Sequence, residues 1–158
     1  MKSKKAKMHP TIIAAIIALI GLIAVQKGVF TSADIRFQRQ PFEDKVCPNH
    51  LDGGILNLYF SNFNGNRGTD LFVKISSSNN VSFLKNEDII NIPAGQSTSL
   101  KFLINESTLK PDRYNSINNF TLVINANYAY NFWKTIKNIS CVCKYEKEYS
   151  SLVLRESC

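Results

Sequence analysis

The stretch Ile139-Ser-Cys-Val-Cys-Lys-Tyr145 decides how the rest of the chain is read. Ile139, Cys141, Cys143 and Tyr145 occupy every second position, opposite Asn138, Ser140 and Lys144. Successive side chains of a β-strand point to opposite faces, so these four share one face. The spacing predicts a half-buried strand with two thiols side by side on its inner surface.

The same period recurs outward along the chain. Leu56, Leu58 and Phe60 share a face. Leu71, Val73 and Ile75 oppose Asp70 and Lys74; Leu100, Phe102 and Ile104 alternate with Ser99 and Lys101. Phe120, Leu122, Ile124 and Ala126 alternate with Thr121 and Asn125. Shorter runs stand at Ile35 and Phe37, Val81 and Phe83, Ile89 to Ile92, and Leu152 and Leu154. Asn62 to Gly68, Ser76 to Asn80, Pro93-Ala-Gly95 and residues 105–118 read as loops and turns. No amphipathic helical pattern follows residue 30. Seven or eight short strands separated by turns predict an all-β chain folded as a β-sandwich.

Upstream, Thr11 to Val25 is fifteen residues without a charge, an amide or a proline. Lys2, Lys4, Lys5 and Lys7 precede it, and the first acid is Asp34. Such a segment is apolar on every side and favours an inside N-terminus. The expected organisation is a cytoplasmic basic segment (1–9), a transmembrane signal anchor (10–30), a junction (31–53) and an extracytoplasmic β-sandwich (54–158). Fifteen residues rise only about 22 Å, short of a bilayer core of roughly 30 Å. The anchor therefore requires Met8 to Phe30, with Lys27 snorkelling to the interface and Phe30 at headgroup depth. A cleaved signal peptide is the alternative, with Thr31-Ser-Ala33 as its small-residue site. Lys27, between the apolar run and that site, speaks against cleavage.

The formal net charge of +7 comes from nineteen Lys and Arg against twelve acids. Five of the basic residues lie in residues 1–30 and every acid lies beyond, which leaves fourteen against twelve, or +2. The basic excess belongs to the topology signal, so nucleic acid is not an expected partner.

Cys47, Cys141, Cys143 and Cys158 are an even set in a chain read as exported, which predicts two disulfides. Cys47–Cys141 with Cys143–Cys158 and Cys47–Cys143 with Cys141–Cys158 both remain open. Cys141–Cys143 within one strand would be strained. Cys141 and Cys143, with Cys158, are also candidate soft ligands for Cu(I) or Zn. Cys47-Pro-Asn-His50, near Asp52, has the makings of half a metal site or a nucleophile–base pair. A disulfide-bonded cysteine beside an exposed histidine is the expected outcome there. The chain holds no Gly-rich phosphate loop, His-Glu-x-x-His or Gly-x-Ser-x-Gly, so neither an enzyme nor a cofactor is expected. Trp133, Phe132, Tyr128 and Tyr130 are expected to pack in the core or plug a loop, with a binding surface as the alternative.

Three resemblances bear on function. Asn66-Arg-Gly68, Asp70-Leu-Phe-Val-Lys-Ile75, Ile90-Asn-Ile-Pro-Ala-Gly-Gln-Ser97 and Leu100-Lys-Phe-Leu-Ile104 resemble the immunoglobulin-like surface domains of prokaryotic envelope proteins. That likeness covers residues 54–128 and implies a fold rather than an activity. His9-Pro-Thr-Ile-Ile-Ala14 after Lys4-Lys-Ala-Lys7 resembles the start of archaeal type IV pilins, which implies a filament subunit; Lys7 after Ala6 departs from that pattern. Cys141-Val-Cys143 behind an anchor is similar in layout to the copper chaperones of cytochrome oxidase. Their pattern is Cys-Phe-Cys-Phe, and Val142 and Lys144 stand where it has phenylalanine. The leading expectation is a single-pass membrane protein presenting an immunoglobulin-like accessory domain to another envelope or membrane protein. A pilin-like subunit and a copper chaperone are the alternatives.

Overall fold

A computed structural model describes residues 9–26, 31–51, 54–78, 81–105, 119–148 and 151–158. The residues that alternate in sequence alternate in burial. Helix α1 (Pro10–Gln26) is followed by strands β1 (Ile35–Gln38), β2 (Ile55–Asn62), β3 (Thr69–Ser77) and β4 (Glu87–Ile92). Then come β5 (Ser97–Leu103), β6 (Asn119–Ala129), β7 (Ile136–Glu148) and β8 (Ser151–Glu156). Leu56, Leu58 and Phe60 of β2, Leu71, Val73 and Ile75 of β3, and Phe120, Leu122, Ile124 and Ala126 of β6 are all buried. Asp70 and Lys74 of β3 and Asn125 of β6, between these positions, are exposed, as half-buried strands require.

The strands form two antiparallel sheets, β1-β2-β5 and β4-β3-β6-β7-β8. Inward side chains of both sheets belong to one hydrophobic core. The chain changes sheet between β2 and β3, between β4 and β5, and again between β5 and β6. Gly95 serves the second change: its φ of 68° lies in the left-handed region, which glycine adopts without a Cβ penalty, and Gln96 N–H closes the turn on Pro93 O at 3.2 Å.

Asn62, read from sequence as the start of a loop, ends β2 and is fully buried. Its Oδ1 accepts from Asp34 N–H at 2.9 Å, and its Nδ2 donates to Arg67 O at 2.7 Å and Pro93 O at 3.3 Å. One amide therefore joins the approach to β1, the β2–β3 loop and the β4–β5 turn. Gly65 lies so close that a Cβ there would stand 1.8 Å from Asn62 Oδ1.

The segment expected to be a junction contributes to the domain. It supplies β1, and Ala33 N–H reaches across to Tyr130 O at 2.7 Å. Further along, Leu154 N–H donates to Asn49 O at 2.8 Å, Leu51 N–H to Leu152 O at 3.3 Å, and His50 bridges Val153. Residues 49–51 thus cover part of the outer edge of β8. A paired edge presents fewer free backbone groups to other chains.

The expected fold class, an immunoglobulin-like β-sandwich behind a transmembrane helix over residues 10–30, needs correction. What stands is a mostly β chain in two sheets. Among the described residues no helix is long and apolar enough to cross a membrane. Helix α1 has 17 residues. At 1.5 Å per residue that is about 25 Å, less than a hydrocarbon core of roughly 30 Å. Residues 27–30, which the expected span needed, lie outside the described residues, as do Met8 and most of the loop over 105–118.

Candidate functional site: the four-cysteine cluster

Strand β7 lies between β6 and β8, and its inward positions place Cys141 opposite Ile124 and Cys143 opposite Leu122. Both cysteines are buried, as the alternation predicts. Cys47 arrives from the segment after β1 and is also buried; Cys158 arrives from the segment after β8 and is exposed. Cys47 N–H meets Ser157 Oγ at 3.4 Å, which brings these two segments together.

All four cysteines are paired: Cys47 with Cys143 and Cys141 with Cys158. Of the two connectivities open in the sequence, the structure has the second. The two disulfides lie against each other. Cys141 Sγ is 4.0 Å from Cys47 Sγ and 3.9 Å from Cys143 Sγ. The sulfurs of Cys47, Cys141 and Cys143 all lie within 4.8 Å of one another. A soft metal would need thiolates at those positions, and in the bonded state the sulfurs are not thiolates.

Tyr145 forms one wall. Its ring stacks on Phe120 with centroids 5.1 Å apart, and its hydroxyl donates to Pro48 O at 3.0 Å. Pro48 follows Cys47, so this bond fixes the segment that carries the first cysteine. Burial pushes the phenol pKa well above its ordinary value, and the charge of Glu43 pushes it the same way. Tyr128 is raised by burial as well.

Above about pH 10 the unfolded chain gives up these phenolic protons while the native chain keeps them, so stability falls as pH rises. Tyr145→Phe should cost about 1–2 kcal/mol near neutral pH, because Pro48 O loses its donor. The same variant should show a shallower alkaline loss than the parent. Urea midpoints measured from neutral pH upward check both; an unchanged alkaline slope would remove Tyr145 as its source.

The Cys47-Pro-Asn-His50 motif makes no nucleophile–base pair, since Cys47 is bonded to Cys143. His50 is exposed, and its backbone pairs with β8. Asp52 lies outside the described residues. No known protein family and no curated protein sequence matches the chain. The site therefore stands on its own geometry.

The aromatic cluster is split by the fold. Tyr128 is buried and Tyr130 packs against the core. Phe132 and Trp133 sit in the β6–β7 turn with their rings edge to face, and Trp133 is 71% exposed. The expectation of core packing fails for that pair because β6 ends at Ala129 and both residues lie in the turn beyond it. Lys134, with φ of 56°, turns the chain back into β7.

Two features escaped sequence reading. The buried Asn62 sits in a run of polar and glycine residues with nothing to mark it. Residues 49–51 have no alternation of their own, and only their pairing with β8 defines them.

Proposed function

We propose that the chain is a non-catalytic envelope protein whose disulfide-locked, two-sheet domain is held at a membrane surface and engages another envelope or membrane protein. The observation that carries this reading is α1. Ile12, Ile17, Leu19, Ile20, Leu22, Ile23 and Val25 are all about half exposed or more, and they lie on every side of the helix. Completing the burial of each half-exposed side chain contributes about half of the 1.5–3 kcal/mol of a full transfer, and summed over the helix this is a drive toward an apolar surrounding. The paired cysteines support an oxidising compartment. The β domain supplies a surface with Phe132 and Trp133 among its exposed apolar groups.

In fractionated native cells the full chain should sediment with membranes and be released by detergent. Replacing Leu19 and Ile23 with lysine should move it into the aqueous fraction. A native chain found free in the aqueous fraction would overturn the membrane reading. Sedimentation as detergent-resistant filaments would favour the pilin-like alternative, for which the all-round exposure of α1 is the supporting observation. Crosslinking in native membranes followed by affinity capture of the chain identifies the partner.

A further inference from the structure

We infer that the four cysteines form an exchange cluster with two interchangeable disulfide connectivities, opened from outside by a small thiol at Cys158. The geometry that motivates this is the stacking of one disulfide against the other. Cys141 is bonded to Cys158, yet its sulfur is 4.0 Å from Cys47 Sγ and 3.9 Å from Cys143 Sγ. A cysteine freed at position 141 already faces the sulfurs of the second disulfide.

Access selects where the sequence of exchanges starts. Cys47, Cys141 and Cys143 are at most 1% exposed, whereas Cys158 is exposed. Exchange proceeds by attack of a thiolate on a disulfide sulfur, and an accessible sulfur is attacked in preference to a buried one. An external thiolate therefore bonds to Cys158 Sγ, the Cys141–Cys158 bond breaks, and the electron pair leaves on Cys141. Cys158 now carries the external thiol as a mixed disulfide.

The second step is internal. The Cys141 thiolate attacks Cys47 Sγ, Cys47–Cys141 forms, Cys47–Cys143 breaks, and the electron pair moves to Cys143. Attack on Cys143 Sγ instead would join two residues of one strand face, which the geometry of a disulfide disfavours. In the third step Cys143 displaces the external thiol from Cys158. A normal S–S bond of about 2 Å added to the Cys141–Cys143 separation leaves Cys158 Sγ within about 6 Å of Cys143 Sγ before the first step. The product is Cys47–Cys141 with Cys143–Cys158. The external thiolate is regenerated, two disulfides are present at both ends, and no oxidant or reductant is consumed. Val142 alone separates the two exchanging positions, so the backbone needs little rearrangement to hold either product.

The cluster is therefore a site of covalent capture as well as a staple. A thiol of small size is held at Cys158 while the internal disulfide moves. The probe for the test is reduced glutathione, applied under argon to the full chain in detergent at mildly alkaline pH. Acid quenching, alkylation and digestion are followed by electron-transfer fragmentation, which separates Cys141 from Cys143. The expected result is growth of Cys47–Cys141 with Cys143–Cys158 at a rate proportional to glutathione. That rate should exceed the rate without thiol by at least tenfold, with two disulfides per chain throughout. Glutathione retained on Cys158 while Cys47–Cys143 persists would overturn the proposal, as would reduction that never yields the second connectivity.

Cys158→Ser gives an independent reading, since it leaves Cys141 as a permanent thiol beside the Cys47–Cys143 disulfide. Without any added thiol, alkylation should then divide between Cys141 and Cys143. Label on Cys141 alone would also overturn the inference. Should that variant fail to fold, the glutathione experiment on the native chain decides the matter unaided.

Discussion

Replacing Cys47 and Cys143 together with alanine should lower the stability of the domain by about 4–5 kcal/mol and its Tm by roughly 15 °C. The two cysteines are 96 residues apart, so their bond closes most of the domain into one loop. In the chain-entropy account a crosslink stabilises by restricting the unfolded chain, and the effect grows with the logarithm of loop length. Cys141 and Cys158 are only 17 residues apart. Their joint replacement should cost less, about 3 kcal/mol. Pairwise replacement matters, because a single change would leave a buried thiol free to exchange. Urea unfolding of the two double variants supplies the comparison. A smaller loss for the long loop than for the short one would mean that native packing at the cluster, rather than chain restriction, sets the contribution.

Asn62→Ala is the second large effect, expected at about 3–5 kcal/mol. Its side chain is fully buried, and removing the amide leaves Asp34 N–H and Arg67 O without the partners they have now. A buried group left unsatisfied costs about 1–3 kcal/mol, and at least two are created. Asn62→Asp tests the same point by charge. It places a carboxylate against Arg67 O, Ile92 O and Pro93 O, all acceptors, where the amide now donates. That variant should be as unstable as the alanine at neutral pH and recover partly in acid, where protonation restores one donor. Gly65→Ala should approach the same loss, since its Cβ would meet Asn62 Oδ1 and, at 2.9 Å, Asp34 N. If all three variants unfold at the parent's midpoint, the clamp holds nothing together.

The strands were legible because their burial is decided locally. Leu71, Val73 and Ile75 need only point the same way, and alternation records that without reference to any partner. The strand β4 was legible as a strand but less so as an edge: Ile89 is 65% exposed while Ile92 is buried, a difference set by which neighbours the sheet supplies. Which strands share a sheet had no local signature. The disulfide connectivity was undecidable for a physical reason, since Cys141 and Cys143 bring their sulfurs to within 3.9 Å on one face and either can reach Cys47. Asn62 was misplaced because a buried amide and an exposed loop amide look alike in sequence, and only the four backbone groups gathered around it distinguish them. The apolar segment was correctly read as a helix, but its described length of 17 residues falls short of the span assigned to it.

The pairing of Cys47 with Cys143 and of Cys141 with Cys158 also fixes how the domain bears load. Tension applied between residue 31 and residue 158 bypasses strands β2 to β6 and β8. It follows the backbone to Cys47, crosses to Cys143, steps back to Cys141 and leaves at Cys158. Only some 18 residues of that path are extensible, which at about 3.5 Å each gives roughly 65 Å of slack. An uncrosslinked chain of the same span would pay out about 440 Å. The alternative connectivity has the same contour, so exchange within the cluster would leave this limit unchanged. A domain pulled from a tether on one side and a partner on the other would lose β1 and keep the rest of its sheets behind a covalent stop.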